Sequence, residues 1–274
     1  MKYNNLVIST RINDRVLVSF AANRREVNGI IIGDPFCLAR ARIKLFDIPR
    51  LAGEAKRANL LVSYRTPVYL TSRNLDNTVS LIESMVRDSV VDEVRIQDIG
   101  LLHRLQKISR SKIKLTWSIY GSQREFPGMD IPINQAQVDF LKSKGIQSFE
   151  VTSAVAYSIL TNKYPLDFNM QVYHYKYDPV SFSRRCYTEE YAGHCRREFD
   201  DADTNLPCDE VYYLQDEEKK GMKYVMEGHR ILEFPDPEEF RELIDSNMEI
   251  DTLVLEGNEI GEINDMIGML TDNG

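Results

Sequence analysis

KIKLTWSIY at 112–120 and NQAQVDFLKSKGIQSFEVTS at 134–153 place a strand, a helix and a second strand along one stretch of chain. The first segment reads as a strand. The second opens on a helix over 135–144 that stops at Gly145, where a residue free to adopt positive φ ends helices, and 147–152 continues as the next strand. A strand that reaches the next one through a helix lies parallel to it, so this stretch predicts a parallel sheet with crossover helices.

The same alternation extends in both directions. Towards the N-terminus, strands are expected at 6–10, 29–33, 60–64 and 93–97. The helices between them are marked by Asn13 or Asp14 as a cap with Val16, Leu17, Phe20 and Ala21 on one face, and by Pro49 in a first turn with Leu51, Ala55 and Ala58 following. A further helix is expected near 77–88, and Leu101, Leu102, Leu105 and Ile108 mark the next. Towards the C-terminus, a short helix at 155–161 leads to a strand at 167–175, and a helix at 235–247, a strand at 250–256 and a helix at 259–270 complete the pattern. Eight strands of this kind close a (β/α)8 barrel of the TIM type, here one domain over 1–274. The stretch 178–234 is an insertion: 178–210 reads as irregular, and VYYLQ and KYVMEGHRILEF read as a decorating hairpin. An open dinucleotide-binding sheet is the other architecture, but the GxGxxG that should follow its first strand is missing, as is any phosphate-binding P-loop.

With 43% hydrophobic residues in 274, the chain can bury a large core. Its formal net charge of -8 provides no general field for phosphate backbones, so nucleic acid is not expected as a partner. The N-terminus MKYNNLVIST lacks an apolar signal core, and no window approaches a membrane span, so a cytoplasmic protein without a membrane segment is expected. Disulfides are disfavoured in a reducing compartment, which leaves the four cysteines as buried thiols, metal ligands or catalytic groups.

Functional groups of such a barrel gather where the strands end and the βα loops begin. Cys37 falls just past the second strand, and Cys186, Cys195 and Cys208 fall in the insertion after the seventh, so all four are expected on one face. None lies within a predicted strand or helix, and three lie in a charged loop, which argues against inert core thiols. The intervals of eight and then twelve residues lack the close CxxC pairs of zinc knuckles, while a wider iron-sulfur cluster tolerates such spacing. Spacing alone leaves zinc and iron-sulfur equally open.

The segment YHYKYDPVSFSRRCYTEEYAGHC, preceded by NQAQVDFLKSKGIQSFEVTS, resembles the signature region of the collagenase-like peptidase family U-32. IIIGDPFCLARAR resembles the smaller UbiV-type members, which take one cluster ligand from this early position and three from the later loop. The resemblance implies a 4Fe-4S cluster held by Cys37, Cys186, Cys195 and Cys208. It further implies oxygen-independent hydroxylation of a small organic or lipidic substrate, akin to a ubiquinone precursor, with a second family member completing a heterodimer. Peptide cleavage is weakly implied, despite the family name. The chain departs from the pattern at Cys195 and Cys208, which stand twelve residues apart where those members keep their last two ligands close. The added C-terminal domain of the RNA-modifying members is not matched.

Arg184 and Arg185, next to Cys186, can hydrogen-bond cluster sulfurs or hold a carboxylate, and equally read as solvated loop arginines. His194, beside Cys195, is a candidate second-shell donor, with a structural role as the alternative. Three catalytic candidates sit near strand C-termini: Asp98 and Glu150 as a paired acid and base, and His174 as an acid or base facing the barrel mouth, with a satisfied structural histidine as its favoured alternative. Salt bridges explain the two carboxylates as well, and Glu150 also matches the family's acidic position in its strand. His103 and His229 lie away from this face, and the acidic run from Glu198 to Glu210 reads as a solvated loop. No GxSxG, HExxH or Ser-His-Asp set is present to carry ordinary hydrolysis.

Overall fold

The computed structural model describes residues 1–10, 14–33, 47–67, 70, 72–106, 113–119, 134–163, 167–175, 177–182, 187, 212–215, 223–227, 230–233 and 237–271. Seven parallel strands stand side by side in chain order: β1 (Lys2–Thr10), β2 (Gly29–Ile32), β3 (Leu61–Arg65), β4 (Glu93–Ile96), β5 (Lys114–Ile119), β6 (Ser148–Thr152) and β7 (Met170–Tyr175). The chain then leaves this sheet for β8 (Asp178–Phe182), β9 (Tyr212–Gln215), β10 (Lys223–Glu227) and β11 (Arg230–Glu233). It returns with β12 (Glu249–Gly257), which pairs with β7 on one side and β1 on the other and closes an eight-stranded parallel barrel. The expected (β/α)8 fold is present.

The crossover helices are α1 (Asp14–Ala22), α2 (Ile48–Arg57), α3 (Ser72–Arg87), α4 (Ile99–Leu105), α5 (Gln135–Ser143), α6 (Ser153–Asn162), α7 (Pro237–Asp245) and α8 (Ile260–Thr271). Their ends follow local chemistry. The Asn134 side chain accepts from the Gln137 amide, and the Gln137 side chain accepts from the Asn134 amide, so a reciprocal capping box starts α5. The third helix begins earlier than the expected 77, at Ser72, and the fourth ends at Leu105. Ile108, expected on the fourth, lies outside the described residues.

Period-two alternation divides each barrel strand between two environments. Leu6, Ile8, Ile30, Val62, Val94, Phe149, Val172 and Leu255 point outward and share one apolar core with Leu17, Ala55, Ile82, Leu101, Val138 and Leu243 of the helices. This burial is the main favourable term in folding. The inward positions carry the chemistry. Gly33, which directly follows β2, has φ +107°, and a Cβ there would lie 2.3 Å from the Arg65 carbonyl oxygen, so only glycine fits at this strand end.

The insertion differs from the expected hairpin. β8 joins β9, β10 and β11 in a four-stranded antiparallel sheet of order β8-β11-β10-β9, so 178–182 is not irregular. Pro179 concealed this strand in the sequence. An edge strand tolerates a missing amide, and β8 is an edge. Tyr177, Val225 and Leu232 form a second apolar cluster with Val7, Ile31, Tyr173, Tyr175 and Val254, residues of β1, β2, β7 and β12. The sheet is therefore seated on the barrel and joined to it by its own small core.

Candidate functional site

The lumen of the barrel is charged. Ser63 and Arg65 of β3, Glu93 and Arg95 of β4, Thr116 of β5, Glu150 of β6, Gln171 of β7 and Glu256 of β12 are all buried, and their side chains meet across the interior. Glu93 accepts from Ser63 Oγ at 2.5 Å, Thr116 Oγ1 at 2.5 Å, Gln171 Nε2 at 2.7 Å and Arg95 Nη2 at 2.8 Å. Burial pushes its carboxyl upward, but Arg95, Lys114 and the two hydroxyl bonds outweigh that and hold it at about 2. Arg95 Nη1 donates to Glu150 Oε2, the same oxygen that lies 3.5 Å from Arg65 Nη2. Arg65 Nη1 donates to Glu256 Oε2 at 2.6 Å, and its guanidinium carbon lies 5.2 Å from the centroid of the Tyr173 ring. A continuous path of alternating charge thus runs Glu93, Arg95, Glu150, Arg65, Glu256. Arg65 is the last residue of β3, so the path ends at the C-terminal face of the barrel, where these folds do their chemistry.

Of the expected catalytic residues, Glu150 belongs to this lumen. The other two are elsewhere. Asp98 is the N-cap of α4, its Oδ1 accepting from the Leu101 amide at 2.7 Å. His174 does not face the barrel mouth. Lumen and helix faces alternate along β7, Gln171 and Tyr173 point in, and His174 therefore points out. There it accepts or donates at Nδ1 to Ser153 Oγ at 3.0 Å and stacks on Phe240 of α7, with centroids 3.4 Å apart and planes within 2°. Burial lowers it to about 3, so it is a neutral packing residue. Glu150, Asp98 and His174 do not form one constellation, and the paired acid and base expected of Asp98 and Glu150 does not assemble.

Cys37, Cys186, Cys195, Cys208, Arg184, Arg185, His194 and His229 lie outside the described residues. Among the described residues, no group of three or more His, Cys, Asp or Glu is arranged to hold a metal ion. Reading the sequence missed Arg65, Arg95, Glu93 and Glu256. Their signal was present as charge at alternate positions of apolar strands, in EVRI and SYR, and it becomes a site only when the barrel closes.

No family model matches the sequence, and no curated protein does. Solved structures share the architecture. A U32 peptidase is similar at 12% identity and TM-score 0.48, covering 94% of each chain. A D-psicose 3-epimerase is similar at 10% identity and TM-score 0.42, covering 98% of this chain and 95% of that one. A type I 3-dehydroquinate dehydratase from Clostridium difficile matches at 9% identity and TM-score 0.45 over 64% of this chain and 77% of its own. Identities this low bear on architecture alone, and the strand order already establishes the barrel. Among the described residues, no helix is long and apolar enough to cross a membrane.

Proposed function

We propose that the chain is a 4Fe-4S protein acting in oxygen-independent hydroxylation of a small organic substrate, in the manner its U-32 resemblance implies. Cys37, Cys186, Cys195 and Cys208 are the ligands in this reading, and a second family member is the partner. The observation that carries it is how few residues separate three of the cysteines from strand ends along the chain. Cys37 follows Gly33, at the C-terminal end of β2, by four residues; Cys186 follows Phe182 of β8 by four, and Cys208 precedes Tyr212 of β9 by four. Four residues of extended chain reach at most about 14 Å. Cys37 thus follows a barrel strand closely, and Cys186 and Cys208 flank two strands of the sheet seated on the barrel, which is compatible with one shared cluster. The donor set suits the group: four thiolates match the usual ligation of such clusters. When bound, the cluster supplies one-electron chemistry. Arg184 and Arg185 would offset its negative charge, and His194 would donate to its sulfurs.

The described lumen favours a variant of this reading. Arg65, Arg95, Glu150 and Glu256 are 1–2% exposed and engage one another, and the Tyr173–Tyr175–Tyr177 side is packed against the antiparallel sheet. A barrel filled in this way suits a cluster-carrying subunit whose partner provides the substrate pocket.

Anaerobic purification with iron, sulfide and visible-spectrum analysis tests the cluster. About four iron and four sulfide per chain are expected, falling below one iron in Cys186→Ser. A colourless, iron-free protein with four titratable thiols, or one holding zinc, would sink the proposal. Activity confined to a complex with a second family member would identify the chain as the carrier. Peptide cleavage that survives Cys186→Ala would instead support a peptidase.

A further inference from the structure

Glu150 sits in a row of buried oxygens that the charge path does not use. Ser118 of β5, Glu150 of β6 and Gln171 of β7 occupy one register level on three adjacent strands, and Ser148 precedes Glu150 by two residues on the same face. All four are lumen residues, exposed by 3%, 1%, 0% and 0% respectively. Ser118 Oγ, Glu150 Oε1, Gln171 Oε1 and Ser148 Oγ have no hydrogen-bond partner among the described residues. Leaving one such atom unpaired in an interior costs about 1–3 kcal/mol, and more for a charged group. Four together on one patch of wall indicate an occupant that is not part of the chain.

The chemistry of the row narrows that occupant. Gln171 donates through Nε2 to Glu93 at 2.7 Å, which fixes its amide and leaves Oε1 as a pure acceptor. Glu150 Oε1 is a carboxylate oxygen left open while Oε2 takes both Arg95 and Arg65. The two serine hydroxyls can turn lone pairs inward. Every group can therefore offer an oxygen lone pair, and two can offer nothing else. The oxygens are also not bonded to one another, although they stand on neighbouring strands, which are spaced about 4.8 Å apart. An all-oxygen set with a single carboxylate suits a hard cation of low charge, because divalent ions recruit several carboxylates. All four are shielded from bulk solvent, so an occupant would have to shed its water. We propose that Ser118, Ser148, Glu150 and Gln171 bind a dehydrated monovalent cation, sodium or potassium, inside the barrel. It would meet Glu150 through Oε1, the oxygen that Arg95 and Arg65 leave open. The inference does not depend on the cluster.

Thermal unfolding of the full chain at constant ionic strength tests it, with choline chloride replaced stepwise by sodium, potassium or lithium chloride. A saturable rise in midpoint is expected with sodium or potassium, of about 3 °C for each tenfold increase in cation beyond its dissociation constant. Ser118→Ala removes an oxygen with no protein partner, so its midpoint in choline should match the parent while its response to the favoured cation shifts to at least tenfold higher concentration. Glu150→Gln should abolish the response; if that variant does not fold, Ser148→Ala serves as the second probe with the same expectation as Ser118→Ala. Equal midpoints in choline, sodium and potassium would overturn the proposal and leave ordered water as the occupant. A cation response unchanged in both serine variants would overturn it as well.

Discussion

Arg65 at the end of β3 and Glu256 near the end of β12 form a 2.6 Å ion pair across the barrel, joining strands that lie 191 residues apart in sequence. Both side chains are almost wholly buried. Taking two charges out of water costs more than their attraction regains unless further bonds satisfy them, and Arg65 has its second contact in Glu150. Removing one partner strands the other. Arg65→Met is therefore expected to cost about 3–5 kcal/mol, and Arg65→Met with Glu256→Leu clearly less than the two single losses combined. A double-mutant cycle by urea unfolding reads the coupling, and additive losses would show that the pair does not act as a unit.

Asp98 is expected to matter as a helix cap. Asn accepts from the α4 amide as Asp does, whereas Ala cannot. Asp98→Asn should leave the unfolding midpoint near the parent's, and Asp98→Ala should lose about 1 kcal/mol. Any activity of the chain, measured per folded molecule, should survive both. Loss in the Asn variant at unchanged stability would return Asp98 to the catalytic candidates.

The barrel was legible because its cause is local. Each strand's outward face is apolar and each helix carries an apolar stripe, so the eight units can be counted without knowing how they close. The lumen was illegible for the opposite reason. Glu93 and Arg95 are two residues apart, but Arg95 reaches Glu150 and Arg65 reaches Glu256 only through closure, which no window of sequence contains. For His174 the structural reading holds, and the barrel-mouth alternative failed on a parity question: whether a strand's odd or even positions face inward depends on register, and a shift of one residue exchanges them. β8 was missed because Pro179 argues against a central strand, and nothing local distinguishes an edge. The cysteines lie outside the described residues, so their expected gathering rests on the sequence.

Glu93 should govern the acid limb of stability. Its carboxyl stands at about 2 in the folded chain against an ordinary 4.5, so the unfolded chain takes up its proton first as pH falls. The stabilisation is complete above pH 4.5 and is lost as pH drops towards 2, a contribution on the order of 3 kcal/mol. Glu93→Gln should be much less stable than the parent at pH 7, with the gap narrowing steadily below pH 4.5. A gap independent of pH, followed by urea unfolding, would show that Glu93 is not ionised in the fold.

His174 titrates in a different window, which makes it separable. Burial against Ser153 and Phe240 lowers it to about 3 from 6.5, so the folded chain keeps it neutral while the unfolded chain protonates it. The neutral-state stabilisation is fully present above pH 6.5 and is eroded as pH falls from there towards 3, by at most about 1.4 kcal/mol per pH unit. Between pH 6.5 and 5 the carboxylates contribute little, so the slope there belongs to histidine. His174→Gln forfeits the stacked ring and should be less stable at every pH, but its stability should be flatter than the parent's across pH 6.5 to 5. Urea midpoints at half-unit intervals measure both slopes; parallel curves would mean that the imidazole reaches water, contrary to its stacked position between β7 and α7.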